Sequence, residues 1–143
     1  MSRSSRSTGF VLAGLSALHV AWGRGSSFPF RDRHELADAV VGTTDVPSKN
    51  ACFAVASLLA LASAIMLKLL PLPRVLRSFA LASLSGILTL RAGTGLTGST
   101  AVLVPGSDSE RFKRLDRQFY APLCLALALG ALRAQRNVKT TSA

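Results

Sequence analysis

Asp116, Tyr120 and Cys124 stand four residues apart in "RFKRLDRQFYAPLCLALALGALR", where a charged run gives way to an apolar one. On a regular helix that spacing lines a carboxylate, a phenol and a thiol along one face. The carboxylate can hold a cation, the phenol can hydrogen-bond, and the thiol can pack or take part in redox chemistry. Three more such side chains, His19, Cys52 and Arg91, stand in apolar sequence, with Trp22 one turn from His19. Arg91 makes the largest demand, because a guanidinium within lipid needs a partner or a route to the headgroups. Three arrangements meet it: pairing with Asp116, a hydrogen bond to Tyr120, or snorkelling to the surface.

The other residues divide between a chemical and a packing role. Cys52 and Cys124 would form a disulfide if their helices brought the Cα atoms within about 7 Å; otherwise they are two small packing residues. Neither belongs to a Cys-x-x-Cys pair, which leaves a thiol oxidoreductase weakly supported. His19 suits a proton relay or ligand, or else a hydrogen bond within the bundle. The other histidine, His34, lies in a charged connection, so neither a haem nor a metal site is expected, and no cofactor. There is no nucleotide loop and no Ser/His/Asp motif, and the balance falls against an enzyme.

The elements that must position these residues follow from composition. Hydrophobic residues make up 49% of the 143 and charged ones 17%, and the charges cluster between four apolar stretches. The stretches read as membrane spans over about 8–23, 51–67, 77–98 and 118–132. The second is bounded by Lys49 and Lys68, about 28 Å apart on a helix. The third is short if it stops at Arg91, which favours a helix continuing to about Gly98 with Arg91 inside it. Pro122 falls in the first turn of the fourth span, where proline is tolerated. A short disordered tail is expected from about residue 134.

A net charge of +10 invites a nucleic-acid reading, but its distribution opposes one. All seven acids lie in two windows, Asp32–Asp45 and Asp108–Asp116, mixed with bases. Arg3 and Arg6, then Lys68, Arg74 and Arg77, then Arg133, Arg136 and Lys139 form stretches without acids. This alternation is that of a multi-pass cell-membrane protein with its acid-free basic segments in the cytoplasm. The expected fold is all-α: one domain, a four-transmembrane-helix bundle with both termini cytoplasmic. His19, Cys52, Arg91, Tyr120 and Cys124 then share the outer leaflet, with Trp22 and Asp116 at its surface.

The segments "LHVAWGRGSSFP", "AVVGTTDVPSKNACFAVASLL", "RAGTGLTG" and "FKRLDRQFYAPLCL" resemble the uncharacterised bacterial membrane proteins grouped as the DUF3995 family. The most specific pieces are His19-x-x-Trp22-Gly23 and Leu115-Asp116-x-x-x-Tyr120-x-Pro122-Leu123-Cys124. The resemblance implies a small four-helix integral membrane protein without assigned activity. The expected function is a non-enzymatic module that binds a lipid-like ligand or a partner membrane protein at the outer cluster. Arg91, His19 and Tyr120 would supply hydrogen bonds, Trp22 an aromatic wall and Asp116 a counter-charge. The alternatives are a thiol/redox protein using Cys52 and Cys124, or a transporter component. The expected partners are the bilayer and a membrane protein or second copy, not nucleic acid.

Overall fold

The computed structural model describes residues 3–140, the side chain of Lys139 excepted. Among them every regular element is helical: α1 (Arg3–Gly23), α2 (Arg33–Val40), α3 (Lys49–Met66), α4 (Arg74–Thr97), α5 (Glu110–Leu115) and α6 (Ala121–Thr140). A 3-10 turn, Thr100–Val102, follows α4, and a π turn, Asp116–Tyr120, joins α5 to α6. Local chemistry sets several of the ends. Asp32 and Ser48 cap α2 and α3 by accepting from the amides of Glu35 and Ala51. Gly98 ends α4 in the left-handed conformation, which its missing Cβ allows.

α1 packs along α3 and α4 along α6, and the two pairs meet through α1 with α6 and α3 with α4. Both pairs are antiparallel. Ser63 Oγ donates to Gly9 O and Ser16 Oγ to Ala56 O, each at 2.8 Å, while Ser85 Oγ donates to Ala128 O at 3.1 Å. Where the pairs cross, a Cβ built on Gly130 would collide with Thr8. Small residues and serine hydroxyls thus draw the backbones together, as in helix packing within lipid. Leu12, Met66, Leu81 and Leu127 fill the centre.

Large apolar side chains also point away from the bundle, with Phe79 70% and Leu58 67% exposed. Two helices, Lys49–Met66 and Arg74–Thr97, are long and apolar enough to cross a membrane by length and composition. The short helices α2 and α5 pack on each other at one end of the bundle, the capped end. The Leu67–Pro73 turn lies at the other.

Two expectations are corrected here. The chain from residue 134 is not a disordered tail as far as Thr140, because α6 continues to that residue. Ala134 is buried and Val138 packs on the central cluster, so this segment has apolar contacts that order it. Residues 141–143 lie outside the described residues. Pro122 does not open a helix either, since α5, the π turn and α6 run on continuously. Proline lacks an N–H and crowds the carbonyl four residues back. The π turn relieves this just before it: the Ala121 amide donates to Asp116 O, five residues back.

Candidate functional site

Arg91 and Asp116 form an ion pair at the capped end, with one hydrogen bond and one further charge contact. Arg91 Nη2 lies 2.8 Å from Asp116 Oδ1, and Nη1 donates to Oδ2 at 3.1 Å. Thr100 Oγ1 donates to the same Oδ2 at 2.6 Å. Asp116 is 1% exposed, whereas the Arg91 side chain keeps 26% of its surface open. Burying a carboxyl group this far is costly unless its oxygens are met, and here a guanidinium and a hydroxyl meet them. Gly95, one turn from Arg91, makes room for the pair. A Cβ there would come within 2.7 Å of Ala121 Cβ, 2.8 Å of Asp116 Oδ1 and 3.0 Å of an Arg91 nitrogen.

Tyr120 looks elsewhere. Its hydroxyl donates to Ala39 O of α2 at 3.0 Å, and its ring lies 6.3 Å from that of Phe112. The face expected to carry Asp116, Tyr120 and Cys124 in one line is therefore broken. The wider π turn takes an extra residue, turning Asp116 toward α4 and Tyr120 toward α2.

A second group surrounds Trp22, which is buried with Leu36 and Cys52. The indole Nε1 donates to Phe28 O at 2.7 Å, and His19 stacks obliquely on the indole with ring centroids 4.8 Å apart. His19 Nδ1 lies 2.8 Å from Leu15 O on its own helix. That contact lies within α1 itself; among the described residues no group of three or more His/Cys/Asp/Glu could hold a metal ion. The five residues expected to form one site thus fall into two groups. His19 and Trp22 hold the α1/α3 side, Arg91, Asp116 and Tyr120 the α4/α6 side, and α2 touches both through Leu36 and Ala39.

Charged residues fasten α2 and α5 together. Arg111 Nη2 lies 2.9 Å from Glu35 Oε1, its Nη1 lies 3.8 Å from Asp38 Oδ2, and its guanidinium stands 5.9 Å above the Phe30 ring. Ser109 Oγ donates to Asp38 Oδ1, and Phe112 presses on Gly42. The hydrogen bond from Arg111, and next that from the Arg31 amide, hold the Glu35 carboxyl below its usual 4.5. A carboxyl lowered in this way contributes stability above its unfolded value and loses it as pH falls through the folded one. In an acid titration of Trp22 fluorescence, the α2 transition is expected below pH 4.5, and Arg111→Gln is expected to move it upward. An unmoved midpoint would mean that this surface pair contributes nothing measurable.

The family model DUF3995, described as a protein of unknown function, matches residues 12–131. The chain belongs to the DUF3995 family. No curated protein and no solved structure matches it. The DUF3995 match takes in both groups of polar residues and all of α2 to α5.

In this DUF3995 chain the two cysteines are free thiols, Cys52 buried and Cys124 half-buried, so the disulfide considered from the sequence is not formed. The reason is their placement: Cys52 is on α3, which pairs with α1, and Cys124 is on α6, which pairs with α4. The unreduced protein is expected to show the intact mass of two free thiols and to take up two alkyl groups when denatured. A mass lower by two hydrogens would contradict this.

Thr100 and Gly95 belong to the site without having been singled out in the sequence. Gly95 had a signal, since it stands four residues after Arg91 and shares its helix face. Thr100 had none, because only the chain reversal after Gly98 returns it to Asp116.

Proposed function

We propose that the protein is a four-span cell-membrane protein, with both termini cytoplasmic and the α2/α5 cap outside. On this reading it is a non-enzymatic module that binds a partner membrane protein or a lipid-like molecule at the capped end. The observation that carries the membrane reading is that the flanks are as apolar as the leucine and methionine centre. Phenylalanine and leucine cover the flanks, while serine hydroxyls, glycines and a buried ion pair lie between the helices. A water-soluble bundle would not leave so much phenylalanine and leucine on its flanks. α1 and α6 add an apolar segment each, longer than α2 or α5, and lie alongside the two helices apolar enough to cross alone. The segregation of acids from bases supports the orientation.

The state of the cluster favours binding over catalysis. Asp116, Tyr120, Trp22 and His19 each engage a group within the fold, which stiffens the cap. A rigid cap over an apolar flank suits recognition of another molecule at the membrane surface.

Topology is tested by replacing both cysteines with alanine and labelling intact cells with an impermeant maleimide. Ser26→Cys is expected to label and Leu72→Cys to stay protected; the opposite pattern would refute the orientation. Binding is tested by native mass spectrometry of gently extracted protein. A stoichiometric second protein or a retained lipid, lost in Arg91→Leu, supports the reading. A bare chain from the native membrane opposes it.

A further inference from the structure

The end of the bundle away from the cap holds a second polar feature, which the cluster above does not involve. A cavity of about 510 Å³ opens between the start of α1, the end of α3, the first turn of α4 and the last turns of α6. Its size is within the range of small-molecule sites, ~300–1,000 Å³. Lys68, Arg74 and Arg77 line it, together with Met66 and Asn137.

Three cations converge on this cavity, and among the described residues no acid lines it. Every acidic residue of the chain stands in the two windows at the capped end, Asp32–Asp45 and Asp108–Asp116. The turn between the helices places the bases. Lys68 takes a left-handed conformation, φ 61°, directly after α3. Pro73 then starts α4 without a side-chain cap, leaving the first-turn amides of a 24-residue helix for another acceptor. Arg77 Nη2 donates to Ile65 O at 2.7 Å, which anchors the guanidinium at the cavity wall. Its Nε is buried and meets no acceptor among the described residues. A buried donor left unmatched costs free energy, and a bound anion would satisfy it. Two helix C-termini also end here, but their carbonyl dipoles match less charge than the three bases carry.

We infer that this cavity binds a phosphate-bearing anion, either the headgroup of an acidic phospholipid or free inorganic phosphate. Lys68 and Arg74 reach it from the rim, and Arg77 and the start of α4 receive it at the base. The lipid source rests on the membrane reading above, since basic cavities between helix ends at the cytoplasmic face suit acidic headgroups. The free-anion source does not depend on it.

The test is thermal unfolding of the full chain in dodecylmaltoside micelles, with phosphatidylglycerol, phosphatidylcholine or inorganic phosphate added in turn. A ligand at a hundredfold its dissociation constant is expected to raise Tm by roughly 5 °C or more. The expected result is such a rise with phosphatidylglycerol but not phosphatidylcholine, abolished by Lys68→Gln with Arg74→Gln. Both of these side chains are exposed, which keeps the variant folded. Arg114→Gln with Arg117→Gln, removing the same charge at the capped end, is expected to keep the rise. A rise with inorganic phosphate alone, lost in the same variant, identifies the free anion and stands whatever the topology. Equal effects of the two lipids with no effect of phosphate would overturn the inference, as would a rise that survives Lys68→Gln with Arg74→Gln.

Discussion

Arg91→Leu and Asp116→Leu are each expected to destabilise the protein by about 3–5 kcal/mol, and the two together by much less than their sum. The asymmetry follows from burial. Removing Arg91 leaves Asp116, 1% exposed, with only the Thr100 hydroxyl at 2.6 Å to meet its charge. Removing Asp116 leaves a guanidinium inside α4, where only part of its surface reaches the exterior. Removing both replaces a desolvated pair with apolar side chains of smaller polarity cost, which in buried sites is often neutral. The measurement is a double-mutant cycle on unfolding in micelles, followed by helical circular dichroism. Strictly additive losses would show that Arg91 gains nothing from Asp116. Thr100→Val is expected to cost about 1–3 kcal/mol in the same assay, because the carboxylate oxygen that it serves stays buried.

Gly95→Val should be nearly as damaging as losing the pair, at about 3 kcal/mol or more. Overfilling a packed site costs about 1–3 kcal/mol by itself. Here the added atoms meet Ala121 Cβ at 2.7 Å and Asp116 Oδ1 at 2.8 Å, so α4 must draw back from the residues that close the ion pair. Gly93→Ala provides the comparison on the same helix. Nothing lies within 4 Å of a Cβ at Gly93, and the exchange should be neutral or stabilising by up to ~1 kcal/mol. If the two glycines tolerate substitution equally, the close approach of α4 to Asp116 is not what holds the capped end together.

The sequence by itself determined the helical class, the family and the demand that Arg91 makes. Lengths of uncharged chain between bases mark four apolar segments, and a guanidinium in the third called for a partner or a route to the headgroups, with Asp116, Tyr120 and snorkelling all open. A helix through Arg91 was legible from the shortness of the stretch before it, and α4 runs from Arg74 to Thr97. What the polar face presents was decided by the tertiary structure. Pro122 and the docking of Tyr120 on Ala39 are satisfied together by a π turn, and one slipped hydrogen bond turns Asp116 and Tyr120 toward different helices. A regular 3.6-residue period contains no sign of such a slip. Helix pairing separates Cys52 from Cys124, and contacts of Ala134 and Val138 order a stretch whose composition alone suggested a tail. Composition shows what each segment can bury, but only the neighbours it meets decide which surfaces are buried and which polar groups find one another.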